Sequence, residues 1–154
     1  MADSIWFEFP QLPVSVNKLY TVRGGRKILT GAGRKFKNTF KQSMGGCSVR
    51  ELMSFEADPE NAYELTLWFF VPKDKLYFEK YGTDGRIKSP FKDMDATNLI
   101  KIAEDCIADL VGLRDRNNFS VSAHKRVAEE PRMVAFFRKL DLEDDPYALD
   151  AKRA

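Results

Sequence analysis

Asp93, Asp95 and Asp115 bracket one amphipathic stretch, "DMDATNLIKIAEDCIADLVGLRDRNNF", with Asn98 and Lys101 inside it. Carboxylates are hard oxygen ligands, and several of them drawn from separate elements can hold a magnesium ion. Magnesium held in that way turns water into a nucleophile and neutralises charge on a transferring phosphoryl group. Those are the two requirements of phosphodiester hydrolysis. A lysine beside such a centre can steer the attacking water or stabilise the charge that develops at phosphorus. The same residues also have ordinary uses. Acids ahead of a helix are favoured by its dipole, and Lys101 and Asp105 stand at the i, i+4 spacing of a surface ion pair.

Geometry limits the first reading. The periodicity predicts a helix from about Ala96 to Val111, roughly 16 residues and about 24 Å long. Asp115 can therefore meet Asp93 and Asp95 only if the chain folds back along the helix, or if a second subunit supplies one of them.

Other chemistry is poorly represented. Cys47 and Cys106 stand alone, outside any CxxC pair, and His124 is the single histidine. That excludes an ordinary zinc site and a disulfide framework. Cys106 falls on the apolar side of the helix and reads as a buried thiol. His124 falls in an expected strand and reads as structural or solvated.

Several elements must position these side chains. "IWFEF" (5–9) alternates as a strand ended by Pro10, and 10–20 reads as an extended, proline-punctuated loop. Gly24-Gly25 marks a turn before a short strand, and Thr30 can N-cap a helix over about 31–44. That helix carries Arg34, Lys37, Asn38 and Lys41 on one face and breaks at Gly45-Gly46. A short helical stretch may be read at 48–55. "AYELTLWFFV" (62–71) is the clearest strand, ended by Pro72. Residues 73–91 have no period and read as a long, mobile loop with functional potential. The helix over 96–111 buries Leu99, Ile102, Ala103, Cys106, Ile107 and Leu110. It presents Asn98, Lys101, Asp105 and Asp109 on the other side and ends at Gly112. Residues 118–127 and 132–140 read as a hairpin closed by "AEEP". The expected fold class is a small single α/β domain, 1–140, with a mixed β-sheet packed by two main helices. An acidic C-terminal tail, 141–154, follows it.

At 154 residues and 44% hydrophobic the chain can build one real core. No apolar run approaches a membrane span, and the N-terminus lacks the basic and apolar regions of a signal peptide. A cytoplasmic protein with no membrane partner is expected. Residues 1–50 hold nine basic residues against two acids, Asp3 and Glu8, which suits a polyanionic partner. Arg26, Lys27, Arg34, Lys35, Lys37 and Lys41 are the expected phosphate contacts. Lys75, Arg86 and Lys88 of the 73–91 loop could join them, with Tyr77, Phe78 and Tyr81 able to stack on exposed bases. The plain alternative is solubilising charge and a surface loop.

Over residues 5–140 the chain resembles the RusA family of Holliday junction resolvases, metal-dependent endonucleases of bacteria and phages. "PVSVNKLY" is similar to the family's Pro-x-Ser-x-Asn-x-x-Tyr element, and "GRKILTGAGRKFK" to its Gly-Arg, strand, Ser/Thr and Gly-Arg opening of the first helix. "DMDATNLIKIAEDCIADLVGLRDRNNF" is similar to its Asp-x-Asp-Asn-x-x-Lys, helix and Asp-bearing turn. The resemblance implies magnesium, for which manganese may substitute, held by Asp95, Asp115 and Asp93. It implies Lys101 beside the metal, Asn98 as the motif asparagine, Asp105 as the helix aspartate and Asn17 among the nucleic-acid contacts. It further implies a RusA-like homodimer that resolves four-way DNA junctions by paired nicks in recombination and repair. Two departures stand out. Ala96-Thr97 intervenes between the second Asp and Asn98, so that either Asp93 or Thr97 takes one motif position. The turn reads Arg114-Asp115 where the family often has Asp-Asp. A branched-DNA-binding protein with impaired catalysis, or a metal nuclease acting on flaps, forks or RNA, are the alternatives.

Overall fold

The structure is a computed structural model and describes residues 2–79, 89–141 and 143. Arg86, Lys88 and most of the 73–91 loop lie outside the described residues.

Strand β1 (Ser4–Phe9) buries Ile5, Phe7 and Phe9 on alternate positions. The stretch expected to be extended at 10–20 instead contains one helical turn, α1 (Val16–Leu19). Ser15 starts it by accepting from the Asn17 amide. Strands β2 (Tyr20–Arg23) and β3 (Arg26–Leu29) form a separate two-stranded hairpin. Helix α2 (Gly31–Gln42) starts at Thr30, whose hydroxyl accepts from the Gly33 amide. Helix α3 (Val49–Ser54) carries a Ser48–Glu51 capping box.

Strand β4 (Tyr63–Pro72) alternates buried and half-buried residues along its whole length. One further turn, α4 (Lys73–Leu76), opens the segment read as a loop. Helix α5 (Thr97–Val111) precedes β5 (Asn118–Ala128) and β6 (Arg132–Lys139). The fold is thus a small α/β domain with a mixed sheet. Among the described residues no helix is long and apolar enough to cross a membrane.

The four-stranded sheet has the order β1-β6-β4-β5. β4 runs parallel to β5 and antiparallel to β6, so β5 and β6 are not the expected hairpin. The physical reason lies in β4. Its inner row, Tyr63, Leu65, Leu67, Phe69 and Val71, is almost wholly buried. Such a row belongs at the centre of a sheet, and a direct β5–β6 hairpin would leave it at an edge. Pro72 lacks an amide proton and ends the β4 ladder, so the short 129–131 link can pass beyond it. A parallel β4–β5 pair also needs a long crossover, and that crossover carries α5 and both groups of aspartates.

The core is aromatic. Phe9 meets Phe36 edge-on at 5.3 Å and Phe40 at 5.2 Å, which ties α2 to β1. Tyr63 stacks on Phe137 at 4.9 Å. Leu99, Ile102, Ala103, Cys106 and Ile107 bury the inner stripe of α5. Each large apolar side chain so buried contributes about 1.5–3 kcal/mol.

Both cysteines are free and buried. Burial pushes the Cys106 thiol up to about 12, with Asp109 and Asp105 adding to the rise and Lys37 opposing it. An unfolded cysteine loses its proton near 8.5, whereas the folded one keeps it, so the native state binds more protons between those values. Stability is therefore expected to fall as pH rises from about 9 toward 12. Thermal melts across that range should show a shallower alkaline slope in Cys106→Ala, and an identical slope would remove Cys106 as its source.

Candidate metal and nucleic-acid site

Asp115 reaches its position because α5 ends sharply. Gly112 adopts φ 77°, a left-handed conformation that glycine takes without a Cβ penalty. The Leu113 amide donates to the Ala108 carbonyl at 2.9 Å and its side chain turns into the core. A single 3₁₀ turn, Asp115–Asn117, follows. Asn117 is the one buried polar side chain among the described residues, and its amide donates to the carbonyls of Pro59 (2.9 Å) and Asn61 (3.1 Å). Those bonds pin the turn from below and leave Asp115 on its outer side.

The chain does fold back along the helix. Lys101 Nζ lies 3.3 Å from Asp115 Oδ2 and 3.0 Å from Asp105 Oδ1. Two carboxylates from two elements thus converge on one cation. Lys101 and Asp115 side chains are 45% and 54% exposed, so the bridge is soft, worth under about 1 kcal/mol. The hydrogen bond and charge of Asp105, with those of Asp115, hold the Lys101 pKa well above the ordinary lysine range. Lys101 is therefore a permanent positive charge and cannot serve as a proton acceptor at neutral pH. Glu104 stands beside this group. Burial raises its carboxyl pKa, and the nearby Asp115 and Asp105 charges add to the rise.

A hollow of about 450 Å³ opens here, lined by Lys37, Asp105, Asp109, Leu113, Arg114, Asp115 and Arg116. Lys37 comes from α2, which packs on α5. Carboxylates and guanidinium or ammonium groups therefore share one concavity.

Asp93 and Asp95 lie in the segment leading into α5, both exposed. They do not cap the helix through their side chains. Ala96 is the N-cap, and only the Asp95 backbone carbonyl accepts, from the Asn98 amide at 3.1 Å. The segment is tied to the sheet by Lys125, whose Nζ donates to the Met94 carbonyl at 2.6 Å. Among the described residues, Asp93 and Asp95 form no ion pair with the Lys101 group. No three His, Cys, Asp or Glu side chains stand together so as to hold a metal. The oxygen donors fit magnesium in kind, and Asp105 and Asp115 already converge on a positive charge. The full three-aspartate set is not gathered around one point.

The other expected contacts are dispersed. Asn17 is exposed on α1. Arg26 and Lys27 are exposed on the β2–β3 hairpin, where Lys27 Nζ sits 4.6 Å from the Tyr20 ring centre. Arg34 donates to the Leu29 carbonyl at 2.7 Å, and Lys35 and Lys41 are exposed on α2. Lys75 is exposed on α4. Of this set only Lys37 lines the hollow with Asp115.

Arg114, Arg116, Glu104 and Lys125 were not among the residues expected from sequence. Arg114 and Arg116 flank Asp115, and Glu104 stands three residues from Lys101, so their proximity was readable. The Lys125–Met94 tether spans 31 positions and has no local signal. No family model matches the chain, and no curated protein matches it.

Proposed function

We propose that the protein is a magnesium-dependent, structure-selective endodeoxyribonuclease that nicks four-way DNA junctions as a homodimer. One observation carries this reading. Asp115 and Asp105 converge on Lys101 at the rim of a hollow that also holds Lys37, Arg114 and Arg116. A phosphodiester needs cations for its oxygens and carboxylates for a metal, and both occur here within one concavity.

Asp115, with Asp95 and Asp93, would hold magnesium, which when bound supplies the activated water and part of the charge neutralisation. Lys37, Arg114 and Arg116 bind the phosphates that flank the scissile bond. Their guanidinium and ammonium groups fix the register of the strand without reading sequence. Lys101 keeps its proton and stabilises negative charge developing at phosphorus. Asp105 positions Lys101 through the i, i+4 pair. Arg26, Lys27, Arg34, Lys35 and Lys41 extend phosphate contact away from the hollow and set the salt dependence of binding.

A second reading is favoured by the ungathered carboxylates. With Asp93 and Asp95 apart from Asp115 among the described residues, the chain could bind branched DNA without cutting it. A labelled four-way junction incubated with the protein in magnesium or EDTA separates the two. Paired nicks in magnesium alone establish the nuclease. Tight, salt-sensitive binding with no nick in either establishes the binder. Cleavage of flaps, forks or RNA in preference to the junction would make it a nuclease of another substrate class.

A further inference from the structure

The sheet has two unlike faces. The inner rows of β1, β4 and β6, together with every helical side chain buried among the described residues, belong to a single cluster. None of the large outer-face residues belongs to it. The outer face is nonetheless strongly aromatic. Trp6 on β1, 55% exposed, stacks on Phe136 of β6 at 4.3 Å and on Trp68 of β4 at 5.9 Å. Trp68 stacks in turn on His124 of β5 at 5.9 Å. The strip therefore crosses all four strands. A continuous exposed aromatic strip of this kind marks an interaction surface.

The charges on this face indicate what covers it. Arg132 pairs with Glu8 at 2.8 Å and Arg138 with Glu64 at 3.3 Å, at opposite ends of the strip. The Arg132 guanidinium also lies over the Phe70 ring at 4.2 Å. Both arginines are thus already neutralised within the face, which disfavours a polyanion. The uncompensated basic residues lie on α2 and the hairpin instead. A partner for this face needs an apolar centre and balanced charge at both ends. A second copy of the same face meets that requirement, as a two-fold interface demands. Four strands spaced about 4.8 Å apart, each some seven residues long, give a face of about 20 by 23 Å. Packed against itself it buries on the order of 1,000 Å² in total, the lower end of a specific interface.

We infer that the outer sheet face, centred on Trp6, Phe136 and Trp68, is the interface through which two copies of this chain dimerise. This supplies the surface for the dimer that the paired-nick reading needs, and to that extent rests on it. The test does not depend on cleavage, so failure of either reading can be recognised separately.

The chain contains two tryptophans, and both lie on this face. Sedimentation velocity and acrylamide quenching of tryptophan emission are measured together, from tens of micromolar to tens of nanomolar protein. The expected result is a dimer with shielded tryptophans that, on dilution, loses half its mass as quenching rises in step. Trp6→Lys should weaken the dimer by about 30-fold or more, the effect of losing an interface hot spot. Ser122→Glu places a charge at an exposed position of the same face without removing packing, and should weaken it as well. A monomer at every concentration overturns the inference. So does a dimer whose mass and quenching ignore both variants. Saturable quenching by a single-stranded oligonucleotide, with the dimer mass unchanged, would overturn it in favour of a nucleic-acid platform.

Discussion

Asp115→Asn and Asp95→Asn are each expected to lower magnesium-dependent nicking of a four-way junction by about 10²–10³-fold, the scale of losing one group that stabilises the transition state. Junction binding should change little, because affinity rests on the cations that contact phosphate, and neither substitution removes one. The folded state should also change little. Asp115 is half exposed and its pair with Lys101 is soft, while Asn117, one turn away, holds the backbone. The measurement is single-turnover cleavage beside a binding curve and a thermal melt for each variant. Lys101→Met tests the remaining role, since it removes the charge and frees Asp105 and Asp115 together. If Asp115→Asn cuts normally while Asp105→Asn does not, the essential carboxylate lies on α5 and the turn only supports it. If both aspartate variants cut normally, the carboxylate reading fails.

Gly46→Ala should be among the most damaging single substitutions outside the site. Gly46 has φ +84°, a conformation that strains any residue with a Cβ. A Cβ built there would stand 1.8 Å from the Glu8 carbonyl oxygen, which belongs to a paired strand and cannot move alone. Strain and overpacking together should cost about 3 kcal/mol or more. For a domain of this size that lowers Tm by about 10 °C. Gly24→Ala is the control: its φ is +56°, but nothing lies within 4 Å of the added atom. It should cost about 1 kcal/mol, from backbone strain alone. Equal melts for the two alanine variants would mean that the Met44–Gly46 turn does not press on β1 as described.

The local structure was legible in the sequence because its causes are local. Thr30 caps α2, Gly112 ends α5 and Pro72 ends β4, each through chemistry confined to a few neighbouring residues. The apolar stripe of α5 and the alternation of β4 likewise fixed which sides face the core. The Lys101–Asp105 pair followed from helical spacing alone. The one-turn helix α1 was missed, because four residues give too little periodicity to register.

Pairing and convergence were decided only by the tertiary structure. A short link between two strands suggests a hairpin, yet β4 lies between β5 and β6, because the centre of the sheet goes to the strand with the most apolar area to bury. The same competition set the site. Nothing near Asp115 in sequence says that the chain folds back to Lys101. The Asn117 bonds to Pro59 and Asn61, more than fifty residues away, impose it. The outer aromatic strip was equally hidden. Trp6, Trp68, His124 and Phe136 come from four strands, and only the register of the sheet makes them neighbours. Sequence determines directly what a residue can do within a turn or two. Which distant groups meet depends on how the whole chain buries its apolar surface at least cost.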